Sequence, residues 1–229
     1  MNNKMKRITL ALFLSFFINT CIGQTLYSHY LDMTSEWRNS YNGVGELKLS
    51  TTYFDGYQVF NGTAYYKEYT KTLNYIFLAN GDYTTEVLLS DVSYIREDVS
   101  GKFYVYYAAE GNEYVYFDNQ QIINSQIGDV FPEYGASCNI ESLETDYLGL
   151  VPLKRVYGQK HFGRCGTVEG IGNVGPYCRL GIEGNGWLEC YTKQDATIQF
   201  GTSACSSFPI PDRVSLSTYP NSISGNELL

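Results

Sequence analysis

Basic residues are scarce in this sequence. Its 16 Lys and Arg face 24 Asp and Glu, a formal net charge of −8 at pH 7. Nucleic acids and anionic membrane surfaces are gripped through basic patches, so neither is an expected partner. Histidine is scarcer still, with His29 and His161 the only two. There is no Cys-x-x-Cys pair either, so the ligand set of a structural zinc site is missing, and no metal or other cofactor is expected. The chain also lacks a GxSxG elbow, a GxxxxGK[ST] phosphate loop and an HExxH helix. Helical periodicity is absent over any useful length after Arg38. No second long apolar run follows the N-terminal one, so no integral membrane segment is expected in the mature chain.

That N-terminal run has the layout of a secretory signal. Lys4, Lys6 and Arg7 form a basic start, Ile8–Ile18 an apolar core of 11 residues, and Asn19–Gly23 a short polar or small stretch. A membrane-spanning helix needs about 20 apolar residues, so residues 1–23 read as a removable signal peptide. A competing reading makes Cys21 a lipidated cysteine, but Thr20 is a poor fit where a small Gly, Ala or Ser is expected. Cleavage after Gly23 removes three of the 16 basic residues, leaving 13 against 24 acidic ones, a net −11.

What the chain has in abundance is tyrosine, 22 residues against 12 Phe and 2 Trp. Tyr favours strands, with one dry face and one wet end. The densest strand signal runs from Asp91 to Asp118. There Ser93–Arg96, Phe103–Tyr107 and Tyr114–Phe117 are separated by turn residues at Ser100-Gly101 and Glu110-Gly111-Asn112, which predicts a three-stranded meander. Asn61-Gly62 between Tyr57–Phe60 and Thr63–Tyr69 is a strong hairpin signal. Thr72–Ala79 and Tyr83–Leu89 flank a turn at Asn80-Gly81-Asp82. Asp146–Tyr157 reads as one strand broken at Pro152, and Gly186–Thr192 with Ala196–Phe200 as a final hairpin. Residues 25–38 read as irregular, with Trp37 entering the core. Turns recurring every 8 to 12 residues or so predict an all-β fold, an antiparallel sandwich or barrel-like meander with little helix. The expected organisation is a β-rich domain over residues 24–207. A Pro-containing linker and tail follow over 208–229.

Five cysteines remain after signal removal, all in the C-terminal half, and export favours disulfides. Cys190–Cys205 is the first expected pair and Cys165–Cys178 the second; an odd count leaves one thiol over. Chemistry-bearing residues are few. His161 and Cys165, four apart, suit a thiol–base pair only on a helix, which the nearby glycines oppose. Gly170–Gly175 (GIGNVG) matches a dinucleotide-binding pattern in letters but lacks its strand and helix. Glu169 beside this loop could serve a two-carboxylate hydrolase if a second carboxylate converged on it. Arg96 beside Glu97 and Asp98 reads as an ion pair at a strand end, with ligand binding as the lesser reading.

Two regions carry a resemblance. In the tail, Tyr219-Pro220-Asn221 within SLSTYPNSISGNELL resembles the opening of the C-terminal sorting domain of type IX secretion cargo in Bacteroidota. Ser222 stands where that pattern usually has Pro, and only the first strand's worth of the domain is present, as if truncated. The body resembles uncharacterised secreted proteins that carry such a domain, through Tyr30–Trp37, Tyr94–Val105, Glu113–Asp118, Ile127–Val130, Val168–Asn173 and Leu188–Tyr191. The family usually has a bulky residue where Thr167 stands. The resemblance implies export beyond the outer membrane, with the secretion machinery as partner, and implies no activity. The expected protein is therefore a secreted or surface-attached, non-catalytic β-domain with a binding or structural role. Its alternatives are a carbohydrate-binding module or adhesin facing a glycan or cell-surface component, and a small secreted hydrolase using Glu169.

Overall fold

The computed structural model describes residues 30–133, 136–160, 163–174 and 185–213. Residues 1–23, read above as a signal peptide, lie outside the described residues, as do His161, Cys178, Tyr219-Pro220-Asn221 and the expected Cys165–Cys178 pairing.

Strands dominate. In chain order they are β1 (Glu36–Gly43), β2 (Glu46–Phe60), β3 (Thr63–Phe77), β4 (Tyr83–Leu89), β5 (Ser93–Glu97), β6 (Lys102–Tyr107) and β7 (Asn112–Asp118). A six-residue helix α1 (Asn119–Asn124) follows. Then come β8 (Val130–Glu133), β9 (Ala136–Leu148), β10 (Val151–Lys160), β11 (Gly163–Val168), β12 (Gly172–Asn173), β13 (Asn185–Lys193) and β14 (Ala196–Gln199). Nine strands form one antiparallel sheet in the order β14-β13-β1-β2-β3-β5-β6-β7, with β4 paired to the far half of β3. The other five form a second antiparallel sheet, β12-β11-β10-β9-β8.

The all-β antiparallel expectation holds. Asn61 and Gly62 both sit at positive φ (52° and 80°), as a two-residue hairpin turn demands. The 91–118 meander forms as β5-β6-β7. Other expectations need correction. Trp37 lies not in irregular chain but on β1, which adds between β2 and β13. The two strands expected over 63–79 are one continuous β3, because Ser50–Thr72 and Thr52–Thr70 hydroxyl pairs (2.8 Å each) carry the ladder through its polar middle. The segment around Pro152 is a hairpin rather than one broken strand. Leu148 pairs with Val151, and Gly149 at φ 63° turns the chain before Pro152 enters β10. Helix α1 was not expected; Asp118 caps it by accepting from the Gln120 amide at 3.0 Å.

The two sheets share a core. Leu188, Tyr191 and Ile198 of the large sheet pack with Leu153 and Val168 of the small one and with Ile171 and Val174, which flank β12. Trp37 bridges the layers: its ring stands 5.5 Å from Phe54 and 5.2 Å from Tyr191, and its Nε1 donates to the Ile171 carbonyl at 2.9 Å. Residues 30–33 cross the inner face of the large sheet, where Leu31 and Met33 join Phe54, Tyr66, Ile95 and Phe103. Burying a Phe54-sized side chain completely contributes about 2–3 kcal/mol. Asn119, fully buried, ties three segments together. Its Nδ2 donates to the Gly101 carbonyl (2.7 Å) and its Oδ1 accepts from the Gly170 amide (2.6 Å).

After β14 the chain crosses the outer face of the large sheet as a strap. Cys205 is bonded to Cys190 on β13, as expected, 15 residues apart. A loop of that length stabilises by about 3 kcal/mol through the unfolded state. Farther on, Asp212 pairs with Lys71 (2.8 Å) and Arg213 with Glu36 (3.0 Å). Cys138 is also disulfide-bonded, which the expected pairings did not include.

Candidate functional site

On β3 the residues alternate faces. Tyr66, Glu68 and Thr70 point inward, while Tyr65, Tyr69 and Lys71 point outward to pair with Glu113, Tyr53 and Asp212. Glu68 thus takes an inward position that its neighbours would give to an apolar or small residue. Opposite it in register stands Phe54. A bulge follows on β2: Phe54 pairs with Glu68 but Tyr57 with Tyr66, so three steps on one strand face two on the other, with Gly56 at φ 87° absorbing the extra residue. The bulge lets Phe54 and Tyr57 both pack inward, where strict alternation would send them to opposite faces.

Glu68 opens into a cavity of about 440 Å³ between the large sheet and residues of the small one. That lies within the roughly 300–1,000 Å³ usual for small-molecule sites. Its deep part is formed by Leu31, Phe54, Ile171 and Leu188, all nearly inaccessible. Val115, Tyr116 and Gln121, from β7 and α1, line it while exposed to solvent and so mark the mouth. Aromatic rings from Trp37, Phe103, Phe117 and Phe131 make up much of the rest. Polar groups are few: Asn39, Thr52, Thr70 and Thr167 beside Glu68, with Asp118, Gln121 and the Tyr116 hydroxyl toward the mouth. Such a balance, an apolar chamber with a handful of placed polar groups, is that of a ligand pocket.

The electrostatics of Glu68 are those of a carboxylate with no partner. It keeps some accessible surface, yet protein surrounds it almost completely, because that surface is the cavity itself. Burial alone pushes its carboxyl up to about 7. No hydrogen bond or ion pair reaches it among the described residues. Asp118, by contrast, is engaged, capping α1 and facing Lys102 at 3.4 Å. No Lys, Arg or His lines the cavity among the described residues.

The residues singled out from sequence fall elsewhere. Both oxygens of Glu169 are committed, one to the Tyr30 hydroxyl and the other to the Lys154 amide at 3.0 Å. Glu97, the nearby acid, accepts the amides of Tyr30 (3.1 Å) and Leu31 (2.8 Å). These two carboxylates anchor the 30–33 segment and do not line the cavity. Arg96 forms a two-pronged pair with Glu113 (2.8 and 2.5 Å) and lies 4.0 Å over the Tyr104 ring, on the outer face. The guanidinium holds the Glu113 carboxyl below the usual range, and burial with the bond to Glu113 pushes the Tyr65 phenol up to about 12. Cys165 sits on β11 opposite Gly158, and Gly170 and Gly172 adopt the positive φ expected of a tight loop. Glu68 and the cavity were not anticipated. Among the described residues no group of three or more His, Cys, Asp or Glu could hold a metal ion.

Compared with known proteins, the chain matches no protein-family model, no curated protein and no solved structure.

Proposed function

We propose that this chain is an exported, non-catalytic β-domain that binds a small, mainly apolar molecule in the cavity between its sheets. The cavity itself carries this reading: a chamber of about 440 Å³ with aromatic walls and a carboxylate that no described residue pairs. A protein interior is ordinarily packed without such voids. A catalytic reading finds less support, since Glu169 is held by the Tyr30 hydroxyl and the Lys154 amide. A glycan-binding reading needs free ring faces. Several outer-face rings cover one another instead, as with Phe60 on Tyr106 at 4.2 Å and Tyr53 on Tyr69 at 5.9 Å.

The test is a neutral solvatochromic dye such as Nile red, titrated into the protein and into Thr70→Phe, which fills the chamber from β3. Dye emission is expected to shift to the blue with the wild type, and affinity to fall roughly tenfold or more in the filled variant. Equal binding by a Thr70→Phe protein with unchanged circular dichroism would place the dye elsewhere and remove the reading.

The export half of the proposal draws on the signal-like N-terminus, the Tyr219-Pro220-Asn221 resemblance and the acidic balance. The Cys190–Cys205 bond is compatible with an extracellular location. No described helix is long and apolar enough to cross a membrane. Expressed in a bacterium with a type IX system, the protein is expected in the medium or on the cell surface. Accumulation in the periplasm would count against the type IX route, and retention in the cytoplasm against export altogether.

A further inference from the structure

We propose that the cavity selects an organic cation: an amine carried on an aromatic or alkyl body, with its ammonium on Glu68 and its apolar part among Trp37, Phe54, Phe103 and Phe117. The proposal rests on the cavity being a binding site, and adds the chemical class of what binds.

Three observations converge on it. First, Glu68 is a carboxylate surrounded by protein, without a donor or a cation at its oxygens among the described residues. Buried polar groups are nearly always satisfied, and one left open inside a cavity is a group waiting for a partner. Second, the charge of the lining has one sign. Glu68 and Asp118 are its only charged residues among those described, and Asp118 already answers to Lys102 and the α1 amide. Tyr116, at the mouth, is the only other titratable side chain in the lining, while Tyr66, next inward on β3, turns its hydroxyl to the Leu31 carbonyl (3.3 Å). An anionic ligand, such as a fatty acid, would meet repulsion with nothing to offset it. Third, the walls suit a cation's surroundings. Aromatic faces attract ammonium groups through their negative quadrupole, and more strongly where water is excluded. A hard metal ion is held by several charged or carbonyl oxygens together, whereas among the described residues this chamber brings no group of three His, Cys, Asp or Glu to one point.

Charge and donors arrive together with an ammonium. It supplies up to three N–H groups to the carboxylate oxygens and to the Thr52–Thr70 hydroxyl pair on the same inner face. A neutral alcohol supplies one donor and no charge. The Glu68 carboxyl titrates near 7 when the cavity is empty, so a cation draws it into the ionised form and binding depends on pH across that value.

The experiment uses the mature chain and three probes of one shape, 4-phenylbutylamine, 4-phenylbutanol and 4-phenylbutyrate, titrated calorimetrically at pH 8 and pH 5.5. The amine is expected to bind wild type roughly tenfold or more tightly than the alcohol at pH 8, with the carboxylate weakest. Glu68→Gln should erase the amine's advantage while leaving the alcohol within about twofold. Lowering the pH to 5.5 should weaken amine binding roughly tenfold in wild type and leave Glu68→Gln unmoved. Equal affinity of amine and alcohol for wild type, or an amine affinity untouched by Glu68→Gln, overturns the cation assignment. Nile red lost in Thr70→Phe would then still support the cavity. Absence of binding by the dye and all three probes overturns both.

Discussion

Glu68→Gln is expected to make the protein more stable at pH 8, by about 3 kcal/mol. The magnitude follows from linkage: a carboxyl at about 7 in the folded chain and 4.5 in the unfolded one differs by about 2.5 units, at about 1.4 kcal/mol each. The sign follows from which state holds the proton. Between pH 4.5 and 7 the folded protein keeps a proton that the unfolded chain has released. Stability therefore falls as pH rises through this window, and above it the folded state carries an unpaired charge in an apolar chamber. Glutamine has the same shape and no charge to desolvate. In a domain of this size about 3 kcal/mol corresponds to roughly 6–12 °C in Tm. Thermal unfolding of both proteins from pH 4.5 to pH 8 should show curves that meet at the acid end and part toward the alkaline end. Parallel curves would mean that the carboxylate is solvated and the cavity open to bulk water. A residue whose removal stabilises the fold is one kept for another reason, as binding sites commonly trade stability for function.

The same residue shows where sequence stops being legible. Lys67-Glu68 reads as a solvated polar pair, and nothing local says that Glu68 faces inward. Its phase can be fixed only from Tyr66 and Thr70 on the same side, and the bulge at Gly56 scrambles that phase on the partner strand. Signals confined to a few residues were readable. Asn61-Gly62 gave its hairpin because positive φ is a local demand, and Cys190–Cys205 was suggested by spacing around a hairpin. Signals that depend on distant partners were not. β3 runs through its polar middle because Ser50 and Thr52 on β2 bond to Thr72 and Thr70. Helix α1 is six residues long, too short for a periodic stripe; Ile122 is its one apolar side chain fully buried, and its only local sign is the Asp118 cap. Glu169 drew notice as an acid beside a glycine-rich loop. It is spent on Tyr30, 139 positions away, a contact only the folded topology creates.

Glu189→Ala is expected to cost about 3–4 kcal/mol, in the opposite sense to Glu68→Gln. Both are glutamates of the large sheet closely surrounded by protein, and they differ in company. Glu189 lies under the strap and is inaccessible to solvent. Its carboxylate accepts from Ser40 Oγ (2.7 Å), from the Trp187 indole, and from the Ser203 amide and hydroxyl (3.0 Å each). Burial pushes the carboxyl up, and these four bonds more than offset it, so it titrates below the usual range. Alanine would strand several donors at once, at about 1–3 kcal/mol for each that stays buried. It would also loosen the strap where Phe200 and Gly201 return to the Glu189 carbonyl (2.7 and 3.2 Å). Glu189→Gln would keep the shape but place an NH2 against donors, so it should recover only part of the loss. The pH dependence carries the matching sign. The stability due to Glu189 is full above its unfolded value of 4.5 and is lost as pH falls toward its depressed folded value. Wild type should therefore weaken in acid through Glu189 and toward alkaline pH through Glu68, with greatest stability between. Urea unfolding of the wild type and both variants from pH 3 to pH 8 separates the two limbs. Glu68→Gln should flatten the upper one alone, and Glu189→Ala should reduce the lower one alone. Glu113 and Asp98 are held below the usual range as well and supply the rest of the acid limb, so an acid limb of undiminished amplitude in Glu189→Ala would show that the Glu189 carboxylate does not stabilise the strap.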